Sequence, residues 1–506
     1  MNKTIKIAIW NANGLAQRSL EIKSFLIEQN IDVMLISETH FTQKNYLKIP
    51  NYIIYNTKHP SGRAQGGTAV IIKDSIKHHE SVGNDADYLQ ATSVTIEDCT
   101  GNITLSAIYC PPKHTIKKEM FLKFFNSLGN RFIAGGDYNA KHPWWGSRQS
   151  YASPRGKQLY DAMQEQNLIP ISTGEPTYWP SDKNKLPDLI DFAVTKGFNA
   201  NYFSVQSCLD LSSDHSPILI QLNTQIINTE KRNLLYNKKT NWQKYREYIE
   251  ENLSCGIPLK SAKDLEKSIE IFNKVLHSAA MEATLQIEPK NRVLNIPTYI
   301  KMKLQNKRRL RRIWQITRSK LDKTKLNQAT KDLKEALHIE RNNEIANYLE
   351  KLTPTEATEY SLWKATKKIK QPQQFIPPIR TQNGTWARND EEKADVFAKH
   401  LSKVFEPPAR QITEKEEYEL LETQLIVSES EVEEHLSIKS VKVGELNNII
   451  KNLRIKKSPG YDDIDGKLIK ELPVKAIRFL TILMNAAFRL QHFPDQWKVA
   501  QIILIH

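Results

Sequence analysis

The chain has 506 residues and a net charge of +15, and 40% of its residues are hydrophobic. One core usually serves at most roughly 250–300 residues, so we expect more than one domain. It has no apolar run of about 18 residues and no signal-peptide pattern, and its four cysteines lack metal or disulfide spacing, so we expect no membrane contact and a reducing compartment.

The first 222 residues alternate two patterns. Short segments rich in Ile and Val predict β-strands, and segments with apolar residues three or four apart predict helices. The predicted strands are Ile5–Trp10, Val33–Ser37, Gly67–Lys73, Leu89–Ile96, Ile103–Tyr109, Phe132–Gly135, Leu189–Thr195 and Ile218–Leu222. The predicted helices are Leu20–Glu28, Lys118–Leu128 and Gly156–Gln166. Many strands with few helices favour an α/β or α+β sandwich in which helices flank paired sheets.

The remainder of the chain has a mainly helical pattern. A polar segment, 223–241, precedes the predicted helices Trp242–Leu253, Lys263–Gln286, Pro297–Lys320, Asp322–Leu352 and Asn389–Val404. The acidic stretch Glu406–Glu434 is expected to be exposed, and a last helix-rich region begins near Ser440. We therefore predict domains at 1–222, 223–435 (a helical linker) and 436–506. Because the chain stops inside the apolar run Ile502–Ile505, we expect a truncated last domain.

The positive charge is concentrated outside the first domain. Residues 1–222 contain 22 Lys and Arg against 20 Asp and Glu, which leaves most of the excess to the later residues. Seven basic residues lie close together in one predicted helix: Lys301, Lys303, Lys307, Arg308, Arg309, Arg311 and Arg312. This cluster predicts either a solvated helix face or a nucleic-acid-binding or nuclear-targeting segment.

Six polar clusters stand at the ends of predicted strands in the first domain. Their side chains are Asn11 and Asn13, Glu38, Tyr109, Asp137 and Asn139, Asp191, and Asp214 with His215. One such cluster alone usually marks a turn, since Asp and Asn hydrogen-bond their own backbone. Strand ends on one rim of a sheet converge, however, so six clusters predict a shared crevice.

The residue types suit hydrolysis of a phosphodiester. Glu38 is the best ligand candidate for Mg²⁺, which prefers oxygen ligands and few carboxylates, and Asn11 could help to hold the ion or its water. Asp137 and His215 are candidates for activating the attacking water. Zinc is disfavoured because no Cys/His cluster has the spacing of a zinc site.

The other polar residues have supporting roles in this hypothesis. Either Asp191 or Asp214 would fix the imidazole of His215. Asn139 and Tyr109 would donate hydrogen bonds to phosphate oxygens.

These clusters resemble the endonuclease/exonuclease/phosphatase superfamily, which includes deoxyribonuclease I and apurinic endonucleases. The motifs Trp-Asn-x-Asn-Gly-Leu, Glu-Thr-His, Gly-Gly-Asp-x-Asn-Ala and Ser-Asp-His occur in the family order within 1–222. The resemblance implies a four-layered α/β sandwich and a metal-dependent phosphoesterase that uses Mg²⁺, or alternatively Mn²⁺. It also implies a metal bound by Glu38, a nucleophile and phosphate oriented by Asp137 and Asn139, a His215 supported by Asp191, and a phosphate contact by Tyr109.

Two details of the first domain bear on its specificity. Asn13 stands where apurinic endonucleases usually have an Asp metal ligand, which weakens a second metal site and abasic-site specificity, and we treat it as a substrate-binding candidate. The pair Trp144-Trp145 with Gly146 resembles the version found in non-LTR retrotransposons. These tryptophans could be core or loop aromatics, or could contact DNA.

The C-terminal region carries a further resemblance. The runs Leu453–Ile464 and Phe493–Lys498 resemble the start of the reverse transcriptase of jockey-like non-LTR retrotransposons, the fingers region. The polymerase's metal-binding carboxylates would lie further on, so Asp462 and Asp463 are not these ligands. The resemblance implies an endonuclease that nicks double-stranded target DNA to expose a 3′-hydroxyl primer, with element RNA bound by the linker and the polymerase part.

The resemblance also implies a location and leaves alternatives open. We expect action in the nucleus after assembly on element RNA in the cytoplasm. A phosphatase of the same superfamily acting on small substrates is one alternative. An inactive nucleic-acid-binding remnant of a decayed element is the other.

Overall fold

The computed structural model describes residues 4–502, except 46, 183, 230–234, 238, 255, 257, 286–295, 351–376, 407–413, 430–438, 456 and 501. The chain forms two compact units. The first comprises residues 1–230 and 292–405, and the second comprises 231–291 and 406–506. Within the described ranges, no helix combines the length and the apolar character needed to cross a membrane.

Two β-sheets form the frame of the first unit. The first sheet contains β1 (Ile5–Asn11), β2 (Val33–Ser37), β3 (Tyr52–Thr57), β4 (Thr68–Lys73), β12 (Phe203–Ser207) and β13 (Ile218–Leu222). The second contains β5 (His78–Glu80), β6 (Asn84–Ala86), β7 (Leu89–Asp98), β8 (Gly101–Tyr109), β9 (Phe132–Asp137), β10 (Ile169–Ile171) and β11 (Asp191–Lys196). The strand orders are β12-β13-β1-β2-β4-β3 and β10-β11-β9-β8-β7-β5, with β6 also paired to β7. The pairs β1–β2 and β8–β9 are parallel, and the others are antiparallel.

The helices, in chain order, are α1 (Ser19–Glu28), α2 (Lys118–Ser127), α3 (Pro154–Glu165), α4 (Trp242–Asn252), α5 (Ala262–Ala283), α6 (Thr298–Thr317), α7 (Lys320–Glu350), α8 (Asp390–Val404), α9 (Glu414–Glu429), α10 (Val443–Asn452), α11 (Gly466–Lys470), α12 (Val474–Arg489) and α13 (Asp495–Lys498). A two-stranded hairpin, β14 (Ile379–Arg380) and β15 (Trp386–Ala387), precedes α8.

The alternation of side chains along β1 shows how the layers are built. Ile7 and Ile9 lie in the core between the two sheets, whereas Ala8 and Trp10 lie in the core on the outer face of the first sheet. Successive side chains of a strand point to opposite faces, so a strand buried on both faces is apolar throughout. Helix α1 covers the outer face of the first sheet.

Helices α2 and α3 cover the outer face of the second sheet, where Phe121, Phe125 and Leu159 share a core with Phe132 of β9. The order of layers is therefore helix, sheet, sheet, helix. This confirms the four-layered α/β sandwich that the sequence predicts.

An ion pair fastens the second sheet at the end away from the polar clusters. Asp98 is 4% exposed and accepts hydrogen bonds from both terminal nitrogens of Arg131 at 3.0 and 2.9 Å. It also accepts from Thr100 and, at 2.7 Å, from the hydroxyl of Thr224 beyond β13. Burial acts to raise the pKa of Asp98, but these hydrogen bonds lower it more, so its pKa lies well below the usual value.

The helical pair α6 and α7 packs on the first unit. The buried residues of α6 recur every three or four positions, as expected of a helix with one packed face. They are Ile300, Leu304, Lys307, Arg311 and Trp314. Two of the five carry a positive charge, which an apolar pattern alone does not predict.

The second unit is helical in its described part. Helices α4 and α5 share a core with the segments α10 to α12, in which Tyr245, Phe272, Leu468 and Phe479 are buried. This helical region is consistent with the partial reverse transcriptase that the sequence predicts. Residues of the predicted linker, 223–435, belong to both units.

Most predicted elements are present within a few residues of their predicted ends. Five strands of the two sheets were not predicted, namely β3, β5, β6, β10 and β12, and neither was the hairpin β14–β15. The stretch Glu406–Glu434 was expected to be exposed, and its described side chains are almost all exposed, although part of the stretch forms the helix α9. The predicted ends at Gln286 and Leu352, and most of the final apolar run, lie outside the described residues.

Candidate active site

The polar clusters meet along one rim of the two sheets. Asn11 ends β1, Glu38 follows β2, and Asp137 ends β9. Asp191 is the first residue of β11, which runs antiparallel to β9, and it pairs in register with Asp137. His215 lies just before β13, which is antiparallel to β1. The reversed direction of these two strands brings their starts to the rim where the other strands end.

Asn11 joins the carboxylates of the two sheets. Its buried amide nitrogen donates to Glu38 Oε1 at 2.8 Å and to Asp137 Oδ2 at 2.9 Å. The other oxygen of Glu38 lies 3.3 Å from His40 Nε2. Burial acts to raise the pKa of Glu38, but the hydrogen bonds from His40 and Asn11 lower it more, so the pKa is lowered and the side chain is ionised.

Asp137 and Asn139 form a compact turn after β9. The backbone N–H of Asn139 donates to Asp137 Oδ1 at 2.8 Å, and its amide donates to Asp137 Oδ2 at 3.0 Å. The same amide donates to the carbonyl of Cys110 at 3.2 Å. Burial, followed by the negative charge of Asp191, raises the pKa of Asp137. This carboxyl is therefore suited to accept and hold a proton.

His215 is fixed by Asp191. Its Nδ1 lies 2.7 Å from Asp191 Oδ2, and both side chains are almost fully buried. Burial acts to lower the pKa of His215, but the charge and hydrogen bond of Asp191, followed by the charge of Asp137, raise it more. The imidazole is therefore held as a cation, and Nε2 is the nitrogen left to reach a substrate.

Between the two carboxylates that could orient the imidazole, the geometry selects Asp191. Asp214 Oδ1 instead accepts from the amide of Asn13 at 3.3 Å, on the exposed side of the site. Asn13 is exposed, so it remains available to a substrate.

Two tyrosines line the site. Tyr109 ends β8 beside Asp137, and its phenol is 8% exposed. Burial, followed by the charges of Glu38 and Asp137, raises its pKa, so it is a neutral hydrogen-bond donor. The ring of Tyr178, which the sequence reasoning did not select, packs on His215 with 4.9 Å between ring centroids.

Four non-glycine residues of the site have left-handed backbone conformations. Their φ values are 43° at Asn13, 53° at Glu38, 54° at His40 and 46° at Asn139. Such conformations are uncommon and concentrate at functional sites, where the surrounding structure holds them. Here each follows the end of a strand and turns its side chain into the rim.

The site could hold a metal ion. Asp137 and Asp191 place carboxylate oxygens within 4.8 Å of each other, and Asn11 joins Glu38 to Asp137. Asp191 Oδ1 is buried and has no hydrogen-bond partner in the described part of the chain. Buried, mutually repelling carboxylates with an unpartnered oxygen suit a hard cation with oxygen ligands.

The structure separates the two tryptophans of the retrotransposon-like pair. Trp145 is 1% exposed, stacks on Phe192 and donates from its indole to the carbonyl of Ala140. Trp145 is thus a core residue rather than a DNA contact. Trp144 is 40% exposed and contacts Tyr160 edge-on, so it is the one of the two that can reach a ligand.

The structure likewise separates the basic residues of α6 into buried and accessible ones. Lys307 and Arg311 are 1% and 3% exposed, so these two are not available to a nucleic acid in this structure. Arg308 is partly buried and paired with Asp210 and Glu28. Lys307 and Arg308 form ion pairs with acidic side chains of the sandwich, whereas Arg311 donates hydrogen bonds to its carbonyl groups. The residues that remain accessible are Lys301, Lys303, Arg309 and Arg312.

Two residues that support the site, Thr177 and Ser37, were not predicted from the sequence. The hydroxyl of Thr177 accepts the backbone N–H of Asp191 at 3.1 Å, and the hydroxyl of Ser37 accepts that of Asp137 at 3.1 Å. Ser37 Oγ also donates to the carbonyl of Ile108 at 2.7 Å, which ties the two sheets together beneath the site. Ser37 directly precedes Glu38, so its place beside a site motif could have identified it. Thr177 is not next to any of the predicted site residues, so nothing near it in the sequence marks it.

Comparisons with known proteins indicate the family to which the chain is similar. Residues 103–219 match the family model described as Endonuclease-reverse transcriptase. The chain is 33% identical over 514 aligned positions to the RNA-directed DNA polymerase from mobile element jockey of Drosophila melanogaster, with 99% of this chain and 54% of that protein covered. The counterpart from Drosophila funebris is 31% identical over 505 positions, with 99% and 54% covered. The chain thus spans about half the length of the curated relatives it matches.

Solved structures give more distant similarities. The endonuclease domain of TRAS1, a telomere-specific non-LTR retrotransposon, is 20% identical, covers 43% of this chain and 98% of its own, and has a TM-score of 0.36. The AP endonuclease LMAP from Leishmania major is 14% identical, covers 44% and 88%, and has a TM-score of 0.39.

The four-layered sandwich and its rim of carboxylates, amides and histidine define a domain of the endonuclease/exonuclease/phosphatase class. The chain is homologous to the jockey-like RNA-directed DNA polymerases over 99% of its length, and its residues 103–219 match the endonuclease–reverse transcriptase family model. The resemblance predicted from the sequence is confirmed.

Proposed function

We propose that the first unit is a Mg²⁺-dependent endonuclease that hydrolyses one phosphodiester of double-stranded DNA and leaves a 3′-hydroxyl. The observation that carries the proposal is the pairing of a buried His215–Asp191 dyad with the Asp137–Asn139 turn on one rim. The dyad offers a cationic hydrogen-bond donor, and the Asp137–Asn139 turn offers a proton acceptor. An in-line attack of water on a phosphodiester requires both.

Asp137 is the residue assigned to the attacking water. Its raised pKa matches an acceptor that works near neutral pH, since catalytic proton transfer is most efficient when the pKa lies near the working pH. Asn139 holds one edge of the carboxylate and presents its own amide beside it. His215 is the weaker candidate for the base because its raised pKa keeps it protonated.

His215 and Tyr109 are assigned to the phosphate oxygens. Both are hydrogen-bond donors at neutral pH, and both are held in a buried frame that needs no reorganisation when negative charge develops. Glu38, with Asn11 and Asp137 beside it, would hold the cation. When bound, Mg²⁺ would supply positive charge to the phosphate oxygens in the transition state.

The similarity to RNA-directed DNA polymerases of mobile elements supports a proposal about partners. The 3′-hydroxyl would prime RNA-directed DNA synthesis by the polymerase part, with the product of the first unit as the substrate of that part. The accessible basic residues of α6, namely Lys301, Lys303, Arg309 and Arg312, would contact element RNA or target DNA. Action on chromosomal DNA would take place in the nucleus.

Nicking of supercoiled plasmid by the 506-residue chain in Mg²⁺ tests the proposal. We expect conversion to the open circle, its loss in Glu38→Gln and His215→Ala, and its retention in Glu119→Gln, which alters an exposed carboxylate of α2. Release of phosphate from small monoesters is measured in parallel. Phosphate release without nicking would instead support a phosphatase, and the absence of both activities would support an inactive remnant.

A further inference from the structure

We propose that Arg311 of α6 is a positioning residue for the nuclease site, and that the endonuclease requires this helix, which lies outside the sandwich in the sequence. The inference rests on the proposed function, because it assigns Arg311 a role that is exerted through His215. It extends the functional nuclease beyond residue 222 to the helix at Thr298–Thr317.

The segment that carries His215 is a loop, residues 210–216, between β12 and β13. Several of its contacts come from small polar groups. Ser213 Oγ donates to the carbonyl of Asn11 at 2.8 Å and accepts the backbone N–H of His215 at 3.0 Å. The indole of Trp10 donates to the carbonyl of His215 at 3.3 Å, a long hydrogen bond.

Arg311 gathers the carbonyl groups of this loop. Its guanidinium donates to the carbonyls of Leu211, Ser213 and His215, the last two at 3.1 and 3.0 Å. Hydrogen bonds from a charged donor are stronger than those between neutral groups, and the planar fork of arginine fixes direction as well as distance. One side chain thus fixes the backbone of the catalytic histidine together with two other carbonyls of the loop.

Other residues of α6 contact the same loop, and their order along the helix matches the order of their partners along the loop. Lys307 donates to the Asp210 carbonyl and to Glu21, and Glu21 also accepts from the hydroxyl of Ser212 at 2.7 Å. One turn beyond Arg311, Gln315 donates to Ser216 Oγ at 3.2 Å. The start, the middle and the end of the loop are therefore each held by a side chain from one face of the helix.

The burial of the Arg311 guanidinium indicates that the contact between α6 and the loop belongs to the folded structure of the first unit. Arg311 is 3% exposed, and a desolvated guanidinium is tolerated only where acceptors surround it. Here the acceptors are carbonyls that face the helix. When catalysis depends on the orientation of the reacting groups, displacing a catalytic side chain by about 1 Å can lower the rate on the order of a hundredfold. Removal of Arg311 should therefore change the reaction rate more than it changes DNA binding.

The experiment compares the whole 506-residue chain with its Arg311→Ala and Arg311→Lys variants. We expect kcat for plasmid nicking to fall by at least about tenfold in Arg311→Ala, with KM for DNA changed less than about twofold. Arg311→Lys should recover only part of the rate, since an ammonium cannot span the carbonyls as a fork does. Millimolar guanidinium should restore activity to Arg311→Ala selectively. Lys331→Ala, an exposed cation of α7, is the control for lost charge.

Amide hydrogen exchange of peptides covering 208–217 provides a measurement that does not depend on activity. We expect faster exchange there in Arg311→Ala, with the exchange of β9 unchanged. Equal exchange in this loop, or a kcat per folded molecule equal to the parent's, would overturn the inference. If the parent chain does not nick while the loop exchanges faster in the variant, the proposed function fails and the positioning of the loop stands.

Discussion

The pair formed by Asp191 and His215 gives the sharpest mechanistic prediction, through the substitution Asp191→Asn. The new side chain has nearly the same shape, and its carbonyl oxygen can still accept the Nδ1 proton across the 2.7 Å contact. What is lost is the negative charge that, against the effect of burial, raises the pKa of His215. The substitution therefore separates charge from geometry.

The magnitude follows from the kind of hydrogen bond that is changed. A hydrogen bond to a charged group contributes about 1.5–3 kcal/mol. If that energy acts on the imidazolium while it donates to the phosphate, kcat for nicking falls roughly 10- to 150-fold. KM for DNA should change little, since Asp191 is 1% exposed and lies behind the imidazole.

Stability supplies a second signature with a definite sign. Because the pKa of His215 is raised in the folded state, its contribution to stability is complete below the unfolded value near 6.5 and is lost as the pH rises through the raised pKa. The gap in unfolding free energy between the parent and Asp191→Asn should therefore be widest below about pH 6.5. It should narrow as the pH rises.

The assay is plasmid nicking over a range of DNA concentrations, combined with urea unfolding at several pH values. Asp188→Asn is the matched control, because Asp188 is also buried and close in sequence but accepts hydrogen bonds from Ser147 and the Arg148 backbone. It should lose stability and keep kcat. A parent-like kcat in Asp191→Asn, or a stability gap that widens with rising pH, would refute the reasoning.

Three further predictions concern the frame of the site. Asp98→Ala should lower the unfolding free energy by about 3–5 kcal/mol at neutral pH, as for other broken buried ion pairs; because the folded pKa of Asp98 is depressed, this loss should shrink as the pH falls through that pKa, as urea titrations can check. Gly136→Ala should abolish folding, since its Cβ would lie 2.0 Å from a carbonyl oxygen of β8. Gly129→Ala would meet no atom within 4 Å, but the φ of 84° is left-handed, so the substitution should cost about 1–2 kcal/mol; thermal melting separates the two. Trp145→Ala should cost about 3–5 kcal/mol, while Trp144→Ala should leave the melting temperature unchanged and raise KM for DNA.

The sequence predicted the fold where strands are buried on both faces. Central strands such as β1 and β9 contain apolar runs, Ile7–Trp10 and Phe132–Gly136, and their ends are marked by Asn, Asp or Gly. The five strands of the two sheets that were not predicted include the edge strands, β3, β12, β5 and β10. An edge strand exposes one side of its ladder and packs against fewer neighbours, so its composition is closer to that of a loop.

The candidate site was predictable where one motif supplies both the residue and its turn. The motifs around Glu38, Asp137 and His215 come together on the rim, although the choice between Asp191 and Asp214 required the geometry. The roles of Lys307 and Arg311 could not be predicted. A run of basic residues on a helix has the same pattern whether it faces solvent or the carbonyl groups of a distant loop.

The first unit is discontinuous in sequence, and this affects how the protein is made. Residues 231–291 leave it to contribute two helices to the second unit, and the chain then returns to build α6 and α7 on the sandwich. A ribosome that has finished β13 has therefore made every residue assigned to catalysis but not the helix that holds the loop of His215. If Arg311 acts as proposed, nicking activity arises on a nascent chain only after α6 has emerged. Because α4 and α5 precede α6 in the chain, an active nuclease would appear during synthesis only after these two helices of the second unit have been made.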